Sequence, residues 1–490
     1  MTDEEIGAAV KSYFHHKGLP VDIALTFPDV FINDQTSRVE SRSDIKDLSV
    51  ELAPGFRINL PIISANMRDV TESRMAIALA REGGCGFIHQ FAPINKRARE
   101  VAQVKRADNQ VVSKPMTISA AATMQEAMNL MNEHGTNSLL VINGERHLVG
   151  ILATRDYRFL PYFGKDPSSL TVQEVMKSEP LITARPGIST EEAVKILHEN
   201  RFEKLPLVDE VGQLVGLLTS KDILKRSQYP NAARDKNGRL IVGATVGFSN
   251  TLQDAEKLVV AGADVILLDT ARANSTSTAR RATELRKMLP TEIPLMVGNV
   301  DNAGGARLLA DAGVNIIKVG IGPGSACKTR IETGIGVPQV TAIAECAAIA
   351  ERYELTLIAD GGIHLGREFA IAISAGAHAV MMGGALAGTD ESPGEVFVDN
   401  GQRFKKYRGS ASLDFQEQRV SEGTLQAIRS PEGESRRVPY KGDLHTVLGS
   451  WLEDLRSAMS YANTLTIQEL RQCKLRRQSL AGYEEGKPKV

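Results

Sequence analysis

Hydrophobic positions after residue 235 fall into two alternating patterns. Short runs rich in β-branched residues come first, at 240–247, 265–269, 293–300, 316–322, 355–362 and 379–384. Each is followed by apolar residues at helical spacing, as in Leu252, Ala255, Leu258 and Val259, where a period of 3.6 marks the buried stripe of a helix. Three of these helices end alike, at Ala261-Gly262-Ala263-Asp264, Ala312-Gly313-Val314-Asn315 and Ala375-Gly376-Ala377-His378. Glycine there supplies a left-handed cap. Strand–helix alternation predicts parallel strands joined by helical crossovers. Two earlier runs, 60–67 and 84–90, with helices at 71–81 and 95–105, bring the strands to the eight that close a (β/α)8 TIM barrel. An open doubly wound sheet is the alternative. On this plan residues 1–109 begin the barrel, 230–490 complete it with a flap and a C-terminal tail, and 110–229 are inserted.

The insertion repeats itself. Glu126-Ala127 and Glu192-Ala193, Leu148–Leu152 and Leu214–Leu218, and Asp156 and Asp222 are all offset by 66 residues. Each copy ends in a hydroxyl-x-acid triplet, Thr154-Arg155-Asp156 and Ser220-Lys221-Asp222. The pair, at about 110–160 and 170–228, resembles tandem cystathionine-β-synthase (CBS, or Bateman) modules, which implies a site for adenine or guanine nucleotides. Thr154 and Ser220 would then hold phosphate, and Asp156 and Asp222 ribose; helix capping by both acids is the competing explanation.

Composition narrows the class. A chain of 490 residues, 42% hydrophobic and 24% charged, is neither disordered nor fibrous. Its 58 basic and 59 acidic residues leave no net field to attract nucleic acid or a membrane surface. Four cysteines without a Cys-x-x-Cys pair exclude a disulfide scaffold and a thiolate zinc site. The start, MTDEEIGAAV, lacks the apolar core of a signal peptide. The apolar stretch 369–388 is rich in Gly and Ala and holds His378, which argues against a spanning helix. A cytoplasmic protein is expected.

In a (β/α)8 barrel the reactive groups gather at the carboxyl ends of the strands, with phosphate beyond the last two. Those strands end in Asp360-Gly361-Gly362 and Gly383-Gly384. Paired glycines expose backbone N–H groups to an anion, and the adjacent carboxylate suits a ribose diol. The sixth strand runs into Val319–Arg330, where three glycines and a proline present Cys327 between Lys328 and Arg330. Flanking cations favour the nucleophilic thiolate. Cys85 and Cys346 fall inside a strand and a helix as small packing groups, and Cys473 lies in a basic tail. Asp269, Asn299 and the segment Ser64-Ala65-Asn66-Met67 end other strands at the same mouth. No Gly-x-Gly-x-x-Gly follows a strand, so a dinucleotide has no Rossmann-type site.

Residues 318–330 with Gly334-Ile335-Gly336-Val337-Pro338-Gln339 closely resemble the cysteine loop of the IMP dehydrogenase and GMP reductase family. So do Ala359–Ile363, Ala387–Ser392, Tyr407-Arg408-Gly409 and Val438–Gly442, in a match running from about 24 to 470. The resemblance implies a barrel that binds a purine monophosphate, with Cys327 attacking purine C2 and a nicotinamide cofactor exchanging hydride there. It implies that Ser325, Gly362, Gly383 and Gly384 hold phosphate and Asp360 the ribose, with Gly361 also at the substrate and Tyr407 and Gly409 completing the cradle. Ala65, Met67 and Asn299 would also face the substrate, and Asp269, Gly320, Ile321 and Gly322 the cofactor. A homotetramer or octamer is implied, as is a potassium ion on the carbonyls of Gly322, Gly324 and Cys327.

The two enzymes share a covalent intermediate and part at its fate. The dehydrogenase uses NAD and hydrolyses the intermediate with an Arg-Tyr pair on a flap; the reductase expels ammonia from GMP and reduces the intermediate with NADPH, using a Thr-Glu pair. Residues 410–431 contain no tyrosine, and Arg419 is followed by Val420. Thr329 and Glu432 match the reductase pair. Met382-Gly383-Gly384, Ala65-Asn66-Met67, Ser41–Asp44 and Lys441-Gly442-Asp443 lean the same way. The loop 269–274 and Ser410-Ala411 depart from both patterns. A GMP reductase is expected, with an IMP dehydrogenase and a non-catalytic nucleotide sensor as alternatives.

Overall fold

A computed structural model describes residues 1–487 apart from 109–110, 113–114, 179, 221–222 and 225–227. Eight parallel strands close a barrel: β1 (Ile62–Ser64), β2 (Cys85–Ile88), β3 (Val242–Val246), β4 (Val265–Asp269), β5 (Leu295–Val300), β6 (Ile316–Val319), β7 (Thr356–Asp360) and β8 (Ala379–Met382). Val380 pairs with Ile62 to seal β8 against β1. Val242 pairs with Gly86, so β2 and β3 are neighbours although the insertion separates them in sequence. The strands are buried almost throughout, as parallel strands covered on both faces must be. The fold is the TIM barrel expected from the pattern, and the open sheet is excluded.

Most strands stop short of their predicted ends. The runs 316–322 and 355–362 continue into loops because Gly320, Gly322, Gly361 and Gly362 take positive φ, which breaks the ladder. At Gly320 a Cβ would overlap the Asp360 carbonyl. The apolar stretch 369–388 divides into the helix Gly366–Ser374 and β8. Among the described residues no helix is long and apolar enough to cross a membrane.

The N-terminal helix Asp3–Lys17 opens with a Thr2–Glu5 capping box and packs on the helix Gln339–Tyr353, which is buried along most of its length. Gly376 makes a close approach possible here. Its φ is +129°, and a Cβ would lie 2.5 Å from both Ala347 Cβ and Tyr13 Oη. Cys473 is buried rather than in a free tail. It precedes a short strand, Leu475–Arg477, that pairs antiparallel with Val30–Ile32.

By its contacts the chain divides into two compact units, Met1–Ala107 with Asn231–Val490, and Asp108–Pro230. The two halves of the second unit are built alike. Thr123 with Glu126, and Ser189 with Glu192, form capping boxes on the helices Met124–His134 and Thr190–Asn200. The Thr154 amide donates to Asn137 O at 3.0 Å and the Ser220 amide to Glu203 O at 2.8 Å. Leu140, Leu214 and Leu217 join the halves in one apolar cluster. Asp156 accepts the Ala153 amide at 2.6 Å and is therefore a cap. Asp222 lies outside the described residues.

Candidate active site

The carboxyl ends of four adjacent strands meet around one buried cation. Lys318, in β6, reaches Asp360 Oδ2 of β7 at 2.6 Å, Asp269 Oδ1 of β4 at 3.1 Å and Asn299 Oδ1 of β5 at 2.5 Å. Asn299 also donates to Asp360 Oδ2 at 2.9 Å and to Gly320 O at 2.7 Å. Burial opposes the charge on Lys318, but Asp269 and Asp360 outweigh it and raise its pKa. Two carboxylates are thus held side by side at the mouth. Gln90, beyond β2, donates to Asp269 Oδ2 at 3.3 Å.

A second cluster forms beside Asp360. Cβ atoms placed on Gly383 and Gly384 would lie 2.8 Å from Tyr407 Oη and 3.1 Å from Ser325 Oγ. Gly383 also faces Ala65 and Met67, and Gly361 and Gly362 face Pro323 of the cysteine loop. Gly409 lies against the Ala326 carbonyl. The Tyr407 phenol donates to Met67 Sδ at 3.5 Å, and burial followed by the Asp360 charge pushes its pKa up to about 12. It stays a donor across the working range. A cavity of about 550 Å³ opens here, with Ser325, Cys327, Gly384, Arg436 and Lys441 in its wall.

Cys327 is exposed. The cations expected to activate it are turned elsewhere: Lys328 pairs with Glu434 at 3.4 Å, and Arg330 donates to the carbonyls of Ile321 and Val337. A hydroxyl takes their place. Thr329 Oγ1 stands 3.3 Å from Cys327 Sγ and donates to Glu432 Oε2 at 2.9 Å. Glu432 is held there because the Lys328 amide donates to its carbonyl at 2.7 Å and the Glu434 amide to Ala326 O at 3.0 Å. The carbonyls of Gly322, Gly324 and Cys327 lie on this loop. That of Gly324 accepts the Cys327 amide at 2.9 Å, and the Arg330 side chain fills the space beside Gly322.

The segment 410–431, without pattern in the sequence, contains the helix Leu413–Ser421. Its one large apolar anchor, Phe415, packs edge-on to Phe91 at 5.1 Å, and a single anchor leaves no periodicity to read. Arg419 stacks over Phe91, its guanidinium 5.1 Å from the ring centre. The helix connects, in sequence, two paired strands, Gln402–Arg408 and Ser435–Pro439, of a three-stranded antiparallel sheet begun by Phe397–Asp399.

Residues 24–489 match the model of the IMP dehydrogenase / GMP reductase domain. The chain belongs to that family. It is 43% identical over 467 residues to inosine-5'-monophosphate dehydrogenase of Aquifex aeolicus, covering 94% of each chain. Its fold is similar to a cysteine-to-alanine variant of GMP reductase from Trypanosoma brucei in complex with guanosine 5'-monophosphate (TM-score 0.83, 35% identity, 95% of this chain and 98% of that one). The GMP reductase from Trypanosoma brucei in complex with guanosine 5'-triphosphate is similar at TM-score 0.73 and 32% identity, with 93% and 98% covered. The chain is therefore an oxidoreductase of the IMP dehydrogenase / GMP reductase family, whose members use a nicotinamide cofactor and a purine monophosphate.

Within this family member, sequence reasoning missed Lys318 and Lys441. Lys441 donates to Ala385 O at 2.7 Å beside the paired glycines, and burial lowers its pKa. Both stood inside quoted motifs. A lone lysine in the β-run Ile316-Ile317-Lys318-Val319 was the available signal, since an unpaired charge there is costly.

Proposed function

We propose that the chain is a GMP reductase, converting GMP and NADPH with two protons into IMP, NADP and ammonium. The contact chain Cys327–Thr329–Glu432 carries this proposal, because it gives the thiol a hydroxyl and a carboxyl for moving a proton. The flap helix supports it, since Arg419 is committed to Phe91 and no tyrosine accompanies it.

Cys327 Sγ bonds to purine C2 and the C2–N bond to the amino group breaks. The departing nitrogen takes a proton through Thr329, backed by Glu432. Asp269, Gly320, Ile321 and Gly322 would hold a nicotinamide that would supply hydride for C2, and Cys327 regains its thiolate when the C2–S bond breaks. Ser325, the glycines 361, 362, 383 and 384, Tyr407 and Gly409 cradle the phosphate, with Asp360 on the ribose. Ala65, Met67 and Asn299 border the substrate, and Asp269 with Gly320, Ile321 and Gly322 receives the cofactor. The inserted unit is proposed as a CBS pair that takes a regulatory purine nucleotide, and the assembly as a tetramer or octamer.

Absorbance of NADPH tests this. With GMP present it should fall, releasing ammonia, and Cys327→Ala should bind GMP but turn over nothing. A second reading, IMP dehydrogenase, is favoured by the 43% identity to the Aquifex aeolicus enzyme. Xanthosine monophosphate formed from IMP and NAD, with no GMP-dependent NADPH loss, would establish it instead.

A further inference from the structure

Two guanidinium–carboxylate pairs of opposite polarity tie the flap helix to the loop after β1. Arg68 makes a bidentate pair with Glu422, just past the helix, with both bonds at 2.8 Å. Asp69 accepts from Arg408, just before it, at 2.8 and 2.6 Å, and from the Arg408 amide at 3.0 Å. Gln418 links the pairs, accepting from Arg408 at 2.6 Å and donating to Glu422 at 2.8 Å. The Asp69–Arg408 pair is largely buried, with side-chain exposures of 9% and 15%. Paired forks of this kind fix geometry as well as adding energy.

The helix in turn grips the segment that carries Glu432. Gln416 Oε1 accepts the Arg429 amide at 2.8 Å. Asp414 takes the hydroxyls of Ser412 and Ser435, and Ser412 bridges to Gly433. A continuous path therefore runs from Arg68 and Asp69 through the helix to Glu432, Thr329 and Cys327. A flap that must leave the site to admit water would have to break both pairs.

We propose that Arg68 and Asp69, with their partners Glu422 and Arg408, are positioning residues that clamp the flap so that Glu432 stays against Thr329. The assignment deepens the reductase proposal and rests on it for the reaction that is read. The test uses the full chain with Arg68→Glu, Glu422→Arg and the double exchange, measuring GMP reduction and amide hydrogen exchange across 413–434. Each single exchange should lower kcat about ten- to a hundredfold with the KM for GMP nearly unchanged, as misplacement of a catalytic group does. Each should also speed exchange in that segment, and the double exchange should restore both. Glu422→Gln, which removes the charge without reversing it, should lie between. Unchanged kcat and exchange in the singles, or a double variant as impaired as they are, would overturn the clamp. Faster exchange in the singles and its reversal in the double, in a chain that does not reduce GMP, would uphold the clamp and reject the reductase.

Discussion

Glu432 reaches its partner Thr329 across 103 residues of sequence, and the proposed proton transfer rests on that pair. Thr329→Val should keep GMP affinity while kcat falls about a hundredfold or more, the usual worth of a positioned proton carrier. Tyr407 makes a separate prediction. The unfolded phenol ionises near 10, whereas burial holds the folded one protonated to about 12. The folded state therefore binds the extra proton between those values, and stability should fall as pH rises through them. Denaturant titrations of Tyr407→Phe should lack that decline. Lys318→Met would leave Asp269 and Asp360 facing each other without their cation, at a cost of about 3–5 kcal/mol in the same titrations. That Cys327 and the paired glycines lie at one mouth was legible because each declares itself locally, as a thiol in a glycine loop or a pair of glycines at a strand end. Lys318 was not, since its partner Asp360 is 42 residues away and only barrel closure brings them together.

At the scale of elements, what could be read was periodic. Eight strands and the caps at Gly262, Gly313 and Gly376 repeat a pattern, and all three glycines take positive φ. The flap helix hid because Phe415 is its one buried apolar side chain and its other ties, such as Arg68–Glu422, span as many as 354 residues. The N-terminal helix hid for the opposite reason: its buried face is Ala9, Tyr13, Phe14 and Lys17, a mixed set with little apolar contrast. Gly376→Ala should prise this helix from its seat, since the new methyl meets Tyr13 and Ala347 in a conformation unfavourable to any L-residue. A fall in Tm, with exchange of the amides of Asp3–Lys17 accelerated first, would be the expected signature.

For the whole molecule, the inserted unit leaves the barrel's hydrogen bonding intact, because β2 pairs with β3 directly. Lys105 and Asp235, near its two points of attachment, form an ion pair at 3.0 Å. Replacing 108–230 by a short Gly-Ser linker should therefore yield a folded barrel that still reduces GMP, measured by circular dichroism and NADPH absorbance; loss of the fold would show that the inserted unit is needed to build it. The pairing of Leu475–Arg477 with Val30–Ile32 has a different consequence. This two-stranded sheet lies outside the barrel, which Val380 and Ile62 close. Yet Val30–Ile32 leaves the ribosome hundreds of residues before its partner and so waits with an unpaired edge for most of synthesis. An unpaired strand edge is a template for other chains, so that segment stays exposed to wrong partners until translation has nearly finished.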